Sequence, residues 1–494
     1  MQSSPTSDFV STGVAGLDLI LGGGFLRAGF YLLQGDPGAG KTTVALQFLR
    51  EGQRLGASVL YVTLTETYSD LARACESHGW SLEGIQVCDL TATAADTASE
   101  YMMFKPSEVE MGETARRILE EVEKRKPTRV VFDGLSELRL LAADALRYRR
   151  QLLGLKAFFE QQQITALLLD DRTSPIGQLD PESLVGGNIV LERLLPGYGG
   201  ARRRIYVTKV RGADFWDGYH DYEICAEGVV VHPRLIAAKH QREFEARQIL
   251  SGIENLDALL SGGLDYGTTT LLLGPAGAGK STLAMQYVAA ALSGGLKAAV
   301  FTFDEVLATL VARSEKLVAN GIGQYIQSGA LHAKQVDPAE LSPGAFAHEV
   351  QERVRDGARV VVIDSLNGYL SAMPEERFLT THLHELFAYL NQSGMVTIVV
   401  VAQHGLLMAS NSELDVSYLA DTVLVFRYFE ADAQIRQSVS VFKKRTGVHE
   451  RALRELRITE QGLRIGPPLR GFRGIMTGVP EYHGTTQPLQ SEEK

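Results

Sequence analysis

The stretch Gly35-Asp36-Pro37-Gly38-Ala39-Gly40-Lys41-Thr42, followed by Thr43, decides the fold of this chain. It returns as Gly274-Pro275-Ala276-Gly277-Ala278-Gly279-Lys280-Ser281, followed by Thr282. Both copies read G-x-x-x-x-G-K-[ST], in which glycines let the backbone turn so that its N–H groups converge on phosphate oxygens. The lysine then reaches the β- and γ-phosphates, and the hydroxyl residue holds Mg²⁺. We therefore predict that both stretches, the N-terminal and C-terminal cradles, bind ATP and Mg²⁺.

The residues around each cradle have the pattern that this motif requires. An apolar run that is typical of a buried strand precedes each copy, at Phe30–Gln34 and Thr269–Leu273, and apolar residues at helical spacing follow it. A strand, a loop and a helix in this order are the setting of a phosphate-binding loop. Two copies in the same context disfavour the alternative, which is a glycine-rich turn that binds no nucleotide.

Composition and charge argue against several classes of protein. At 494 residues the chain is too long for one ordinary core, so two or three domains are expected. The net charge of −10 and the pI near 5.7 argue against a dedicated nucleic-acid binder. The three cysteines form no C-x-x-C pair, and neither a signal peptide nor a membrane-spanning run is found in the sequence. We expect a cytoplasmic protein without disulfides, zinc or a membrane segment.

The chain repeats itself at the scale of a domain. Lys280 lies 239 positions after Lys41, and the same offset relates Gly13 to Gly252. Within each copy apolar strands alternate with amphipathic helices, which predicts a mostly parallel α/β sheet flanked by helices. The predicted fold class is therefore α/β, with two tandem P-loop NTPase domains.

Charge and composition suggest where these domains end. A charged stretch at Arg234–Arg247 joins the copies, and the chain beyond Pro467-Pro468 is rich in glycine and then polar. We predict an N-terminal ATPase domain at 1–240, a C-terminal ATPase and kinase domain at 241–466, and a loop and tail at 467–494. The polar composition of Thr485–Lys494 is typical of disorder.

Acidic residues end the apolar runs that follow each cradle. Asp133 ends Arg129–Phe132, and Asp364 ends Val360–Ile363. A carboxylate at the carboxyl tip of a central strand is where a P-loop fold places a second contact to Mg²⁺. The alternative is an aspartate that caps a helix. The expected ligands of the metal are Thr42, Asp133, Ser281 and Asp364.

A second set of acids follows another strand-like run in each copy. Glu66 comes after Leu60–Thr65, and Asp304 with Glu305 comes after Ala299–Phe303. Such a carboxylate can orient or deprotonate the attacking group, so these three are candidate catalytic residues. A solvated acid in a loop is the alternative.

Other polar residues carry weaker signals. Asp170-Asp171 and Gln403 follow strands beside the ones that end in aspartate, where loop capping is favoured over contact with a γ-phosphate. His382 and His384 lie two positions apart on a predicted helix, so they do not share a face as metal ligands would.

Cations follow a late strand in each copy, Lys209 with Arg211 and Lys443 with Arg445. Strand alternation puts both members of a pair on one face. At a subunit edge they could act on the nucleotide of a neighbour as arginine fingers do, an effect worth about 10³–10⁵ in rate. A solvated basic face is the alternative, and the recurrence of the K-x-R pattern in both copies favours function.

These residues resemble the KaiC family, the double-domain RecA-like ATPases that include the cyanobacterial clock kinase. The resemblance covers Thr12 to about Pro480. Besides both cradles it rests on T-G-V-A-G-L-D and S-G-I-E-N-L-D ahead of them, V-F-D-G-L and V-I-D-S-L, V-T-K-V-R-G, the run from Val441 to Glu455, and Phe472–Pro480.

The resemblance implies RecA-like domains in a homohexamer of two rings, with ATP bound between subunits. It implies ATP hydrolysis in the N-terminal ring and autophosphorylation in the C-terminal ring. Family kinases use a Ser-Thr pair as phosphoacceptor, and here Ser417 and Tyr418 occupy the matching positions. Ser417 is therefore the expected acceptor, and an ordinary loop serine is the alternative. In the N-terminal copy Thr65 stands where the family usually has the first of two acids.

The leading interpretation is a Mg²⁺-ATP hydrolase with serine/threonine autokinase activity that acts with regulatory protein partners in signalling or clock-like regulation. A RecA-like motor or recombinase that acts on DNA is a second candidate, which the acidic pI and the lack of a basic stretch interleaved with aromatic residues argue against. A scaffold that nucleotide switches with little turnover is a third.

Overall fold

A computed structural model describes residues 8–91, 107–142, 145–172, 181–197, 199–318, 321–337, 339–371, 379–403, 417–431, 433–459, 462–477 and 480–483. The chain divides into two compact units, Met1–Arg234 and Leu235–Lys494. Leu235 and Ala237 belong to the second unit because their side chains are buried in its core. The Ala237 N–H also donates to Glu385 Oε2 at 3.1 Å. The domain limits at 240 and 466 stay predictions.

The first unit has the following helices and strands in chain order: β1 (Phe9–Val10), α1 (Ala15–Ile20), β2 (Phe25–Leu26), β3 (Phe30–Gly35), α2 (Lys41–Arg54), β4 (Val59–Thr63), α3 (Tyr68–Ser77), β5 (Gln86–Asp89), α4 (Ser107–Arg125), β6 (Arg129–Asp133), α5 (Leu135–Leu141), α6 (Ala145–Gln161), β7 (Thr165–Asp171), β8 (Gly187–Leu194), β9 (Arg202–Val210), β10 (His220–Cys225) and β11 (Gly228–His232).

The main sheet of this unit has, in the part that the structure describes, the strand order β11-β10-β9-β8-β3-β7-β6-β4-β5. The strands from β8 to β5 are parallel, and β9, β10 and β11 form an antiparallel extension. Gly35 at the end of β3 pairs with Asp171 of β7, and Asp133 of β6 pairs with Thr63 of β4. The carboxyl ends of these strands therefore meet at the sheet edge where the cradle begins.

Side chains of the sheet alternate between two cores because a strand has a period of two residues. Leu33 and Tyr61 pack on one face together with buried residues of α2. Leu32 and Leu60 pack on the other face with buried residues of α4 and α6. Helices cover both faces, as the near-continuous apolar character of the parallel strands predicts.

The second unit contains these elements: β12 (Gln248–Ile249), α7 (Glu254–Leu259), β13 (Leu264–Asp265), β14 (Thr268–Gly274), α8 (Lys280–Ser293), β15 (Lys297–Thr302), α9 (Leu307–Ser314), α10 (Gly323–Gln327), β16 (Leu331–Gln335), α11 (Pro343–Arg355), β17 (Ala358–Asp364), α12 (Leu366–Ser371), α13 (Leu379–Gln392), β18 (Val396–Ala402), β19 (Thr422–Ala431), β20 (Gln434–Lys444), β21 (Arg454–Thr459), β22 (Gly462–Pro468), β23 (Phe472–Arg473) and β24 (Glu481–Tyr482).

The main sheet of the second unit repeats the first, with the order β16-β15-β17-β18-β14-β19-β20-β21-β22. Its strands from β16 to β19 are parallel, and the remaining three are antiparallel. Gly274 at the end of β14 pairs with Ala402 of β18. The predicted fold class, α/β with two tandem RecA-like P-loop domains, is confirmed. None of the described helices is both long and apolar enough to cross a membrane.

The helix that follows β15 ends earlier than its sequence pattern predicts. The apolar pattern predicts a helix over Ala308–Asn320, whereas α9 ends at Ser314 and a 3₁₀ turn follows at Glu315–Leu317. A tighter i→i+3 turn commonly ends a helix because it satisfies some of the last carbonyl groups.

Candidate functional site

The N-terminal cradle joins β3 to α2, and two glycines with positive φ shape it. Gly38 has φ of 75° and Gly40 has φ of 95°, in the region that residues with a Cβ avoid. A Cβ on Gly40 would lie 2.7 Å from Ile224 Cδ1. Gly40 directly precedes the first turn of α2, so the amino end of that helix faces the same space.

Lys41 lies in a cavity of about 460 Å³ at the carboxyl edge of the first sheet. Its Nζ donates to the carbonyl oxygens of Gly35 (2.8 Å) and Asp36 (3.3 Å). Nζ also lies 2.7 Å from Asp171 Oδ1. The lysine that should bind phosphate is therefore folded back onto its own loop and paired with a carboxylate that the sequence pattern favoured as a loop cap.

Thr42, Glu66 and Asp133 line the same cavity. Thr42 Oγ1 donates to Glu66 Oε1 at 3.3 Å, and Tyr61 OH donates to Asp133 Oδ2 at 2.6 Å. Burial raises the pKa of Asp133 to about 6 against the effect of the Tyr61 hydrogen bond, and the charge of Glu66 raises it further. Burial likewise raises the pKa of Glu66, while the hydrogen bond from Thr42 lowers it. The cavity thus has one buried carboxylate, Asp133, and one half-buried carboxylate, Glu66, beside the Thr42 hydroxyl.

A threonine at the end of a strand positions the second acid in both units. Thr63 Oγ1 accepts a hydrogen bond from the Glu66 N–H and donates one to the Glu66 carbonyl, both at 2.9 Å. Thr302 Oγ1 does the same for Glu305, at 3.3 Å and 2.9 Å. The hydroxyl stabilises a tight turn after the strand, so Glu66 and Glu305 occupy equivalent positions in the two units.

The C-terminal cradle has the same loop geometry. Gly277 and Gly279 have φ of 77° and 96°. Lys280 Nζ donates to the carbonyl oxygens of Gly274 (2.8 Å) and Pro275 (2.6 Å). Lys280 is 6% exposed, and this burial lowers the pKa of its ammonium group.

The acids of the second unit have partners that the sequence did not predict. Burial raises the pKa of Asp364, whereas a hydrogen bond with the Ser281 side chain lowers it. Asp304 Oδ2 accepts a hydrogen bond from the Ser365 hydroxyl. Glu305 Oε2 lies 2.8 Å from Arg313 Nη2. Asp304 is therefore linked to the residue after Asp364, and Glu305 forms an ion pair with α9.

The oxygen atoms that could serve as metal ligands in both cradles suit Mg²⁺. This ion prefers oxygen ligands, takes one or two protein carboxylates, and completes its shell with substrate phosphates and water. Each unit offers a hydroxyl and a buried strand-end carboxylate, Thr42 with Asp133 and Ser281 with Asp364. Among the described residues no group of three or more His, Cys, Asp or Glu side chains could hold a metal ion alone.

Lys209 and Arg211 lie away from the cradle of their own unit. They flank Val210, which is level with Tyr31 of β3. The cradle begins at Gly35, four residues further along β3, so the separation along the strand is about 13 Å. Lys209 Nζ donates to the carbonyl of Glu182, and Arg211 Nη2 donates to that of Ser183 at 3.3 Å.

Lys443 and Arg445 occupy the position in the second unit that Lys209 and Arg211 occupy in the first. Lys444, which separates Lys443 from Arg445, pairs with Thr422 at the start of β19, level with Thr270 of β14. Lys443 Nζ donates to the carbonyl of Ala420 at 2.7 Å. Arg445 donates to the carbonyl of Tyr418 at 3.0 Å, and its Nη1 lies 3.4 Å from Asp421 Oδ1. Both pairs thus lie toward the amino end of the parallel strands, opposite the cradles.

Ser417 begins the 3₁₀ turn Ser417–Leu419. The structure describes the backbone of this serine, and its side chain lies outside the described part. The same turn contains Tyr418, whose carbonyl binds Arg445, so the expected acceptor lies in a turn that contacts one of the cations.

Known proteins resemble the chain over nearly its whole length. A family model described as "ATPase: KaiC" matches residues 10–236 and again residues 249–470. The circadian clock protein KaiC3 of Synechocystis sp. is 26% identical over 491 residues, which cover 96% of this chain and 94% of the relative. The circadian clock oscillator protein KaiC of Parathermosynechococcus lividus is 26% identical over 480 residues, which cover 95% and 87%. The one family model therefore matches each cradle-bearing half separately.

Proposed function

The chain belongs to the KaiC family of ATPases, and we propose that it binds Mg²⁺-ATP in both cradles and hydrolyses it. The family resemblance found in the sequence is thereby confirmed. The observation that carries the proposal is that Lys41, Thr42, Glu66 and Asp133 line one cavity. Phosphoryl transfer needs a cation, metal ligands and a group that orients the nucleophile, and these four residues supply them.

Each of these four residues has a role that its position supports. Lys41 would exchange its carbonyl partners for the phosphates, and Thr42 with Asp133 would hold Mg²⁺. When bound, that ion neutralises charge on the β- and γ-phosphate oxygens. Glu66 would orient or deprotonate the attacking water, and burial raises the pKa of its carboxyl group.

The C-terminal cradle would use the equivalent residues. Lys280 would bind the phosphates, and Ser281 with Asp364 would hold the metal. Asp304 and Glu305 both follow β15, and either one would act on the attacking hydroxyl. The Ser365 hydroxyl orients Asp304, whereas Glu305 would first have to leave Arg313.

We also propose that each site is completed by a neighbouring subunit in a homohexamer. Lys209 and Arg211 lie about 13 Å along the strand from their own cradle, so a neighbour's nucleotide is the target that suits them. Lys443 and Arg445 have the same placement. The turn that begins at Ser417 contacts Arg445, so it would meet the same neighbouring nucleotide, as autophosphorylation of Ser417 requires.

The names of the relatives suggest the biological context. Both are called circadian clock proteins, and we propose a role for this chain in signalling or clock-like regulation with regulatory protein partners in the cytoplasm.

Steady-state ATP hydrolysis tests the enzymatic part of the proposal. Lys41→Ala and Lys280→Ala should each remove the turnover of one cradle, and the chain with both changes should be inactive. Wild-type turnover in that double variant would rule out hydrolysis at the cradles. No turnover in the unmodified chain, with nucleotide still bound, would favour a nucleotide-switched scaffold.

Phosphopeptide mapping after incubation with Mg²⁺-ATP tests the kinase part. Phosphate should appear on Ser417, because the neighbouring Tyr418 would place its hydroxyl several ångströms beyond the roughly 3–3.5 Å that attack on the γ-phosphate needs. Ser417→Ala should remove most of the incorporated phosphate, and Lys280→Ala should remove it as well. Unchanged total phosphate in Ser417→Ala would refute the assignment of the acceptor.

A further inference from the structure

The N-terminal cradle contains an ion pair that has no counterpart among the described residues of the C-terminal cradle. Asp171 Oδ1 lies 2.7 Å from Lys41 Nζ, and the two side chains are 39% and 12% exposed. Lys280 donates to the loop carbonyls of Gly274 and Pro275 and, within the described part of the chain, pairs with no carboxylate. The two phosphate-binding lysines therefore differ in charge environment although their loops share one geometry.

Strand register identifies the residue responsible for this difference. Asp171 pairs with Gly35 at the end of β3, and Ala402 pairs with Gly274 at the end of β14. The two residues thus occupy one position of the duplicated fold, with a carboxylate in the first unit and a methyl group in the second.

The preceding residue fixes the end of the strand that carries Asp171. Asp170 is 3% exposed and accepts a hydrogen bond from Ser136 Oγ at 3.1 Å. Arg139 Nη2 donates to its second oxygen at 2.8 Å. Because both partners come from α5, directly after Asp133, the tip of β7 is anchored beside the proposed metal ligand.

The ion pair opposes phosphate binding for a simple reason. An ammonium group has three N–H donors, and those of Lys41 are directed to Gly35, Asp36 and Asp171. A phosphate that binds Lys41 must replace at least one of them. Asp171 is the only charged partner of the three, and its charge both cancels that of Lys41 and repels an anion in the same cavity.

We propose that Asp171 lowers the affinity of the N-terminal cradle for ATP by holding Lys41 until the phosphates displace it. The proposal rests on the proposed binding of ATP to this cradle, and it makes Asp171 a positioning residue that acts through Lys41. Ala402 exerts no such effect, so one side chain makes the two cradles respond differently to the ATP concentration.

Titration calorimetry with Mg²⁺-ATP tests this in a chain that carries Lys280→Ala, so that the N-terminal cradle is measured alone. Adding Asp171→Asn should tighten ATP binding by about threefold to tenfold. The gain is limited because the ion pair of Asp171 with Lys41 is partly exposed and therefore weak, and removing the repulsion between Asp171 and the phosphates adds to it. The gain should shrink at high salt, where partly exposed charges are screened. A purely structural role would predict loss of affinity instead.

Two further variants complete the design. Glu76→Gln removes a carboxylate charge from an exposed position on α3 that does not line the cavity, and it should change the affinity by less than about twofold. Ala402→Asp in a Lys41→Ala chain should weaken ATP binding by the C-terminal cradle, which gives a second test if Asp171→Asn folds poorly.

The outcomes separate this proposal from the one it rests on. If the Lys280→Ala chain binds ATP and Asp171→Asn leaves the affinity unchanged or lowers it, the role of Asp171 is overturned while the site stands. If the Lys280→Ala chain binds no ATP with either residue at position 171, the site and the role of Asp171 are both overturned.

Discussion

The burial of Asp133 opposes the stability of the folded chain when its carboxyl group is ionised. Its pKa is about 6 in the folded chain, against 3.8 for an ordinary aspartate. Between these values the folded state holds a proton that the unfolded state has lost, so stability falls as the pH rises through this window. Above pH 6 the buried carboxylate is ionised, and two pKa units correspond to about 3 kcal/mol. A bound cation would remove this unfavourable term.

We therefore expect Asp133→Asn to stabilise the nucleotide-free chain by about 2–3 kcal/mol at pH 7.5 and by almost nothing near pH 4. The asparagine oxygen can still accept the hydrogen bond from Tyr61. Urea unfolding at both pH values measures the difference, with Asp214→Asn at an exposed position as the control. An equal effect at both pH values would show that burial of charge is not the cause.

At the scale of the element, the loop between β3 and α2 depends on backbone conformations that glycine alone adopts easily. Gly40 has φ of 95° and lies at the amino end of α2. In contrast, Gly154 lies inside α6, where an added Cβ would meet no atom within 4 Å. The same substitution should consequently act in opposite directions at these two positions.

Gly40→Ala should destabilise the first unit by about 1–2 kcal/mol, because a left-handed φ is unfavourable for alanine. Its Cβ would also displace Ile224. Gly154→Ala should stabilise it by about 0.5–1 kcal/mol through the higher helix propensity of alanine. Calorimetric unfolding of both variants makes the comparison, and a stabilising Gly40→Ala would contradict the loop geometry described here.

Local sequence patterns predict much of these elements. Each cradle and each strand-end acid is defined by a short run of residues, so its place on a strand or loop can be inferred without knowing the sheet order. The structure brings Thr42, Glu66 and Asp133 together as expected from parallel strands. The ion pair of Asp171 with Lys41 depends instead on β7 lying beside β3, which no local pattern states.

Two other contacts were missed for related reasons. Tyr61 has the pattern of a core residue, and only the pairing of β4 with β6 shows that its hydroxyl reaches Asp133. Arg313 lies on α9, the helix that follows Glu305, and its ion pair with Glu305 depends on how α9 packs.

At the scale of the whole molecule, the placement of the cations matters most. Both pairs lie toward the amino end of the parallel strands, whereas both cradles lie at the carboxyl end. A single chain therefore presents a cradle at the carboxyl end of the parallel strands of each sheet and a pair of cations toward the amino end of the same strands. Identical copies arranged head to tail in a ring would bring the two together.

Mixed oligomers test this arrangement. Chains with Lys41→Ala and chains with Arg211→Ala should each hydrolyse little ATP at the N-terminal ring, provided that both also carry Lys280→Ala. Mixing them should restore part of the activity, because some interfaces then pair an intact cradle with an intact Arg211. Mixing two preparations of the Lys41→Ala chain is the control. No recovery in oligomers shown to contain both chains would argue against sites completed by a neighbour.

The proposed function requires that each cradle is a separate site for Mg²⁺-ATP. Native mass spectrometry with and without Mg²⁺-ATP counts the bound nucleotides directly, together with the number of subunits. We expect two nucleotides per chain in the unmodified protein, one in Lys41→Ala, one in Lys280→Ala and none when both changes are combined. Two nucleotides per chain in either single variant would contradict it.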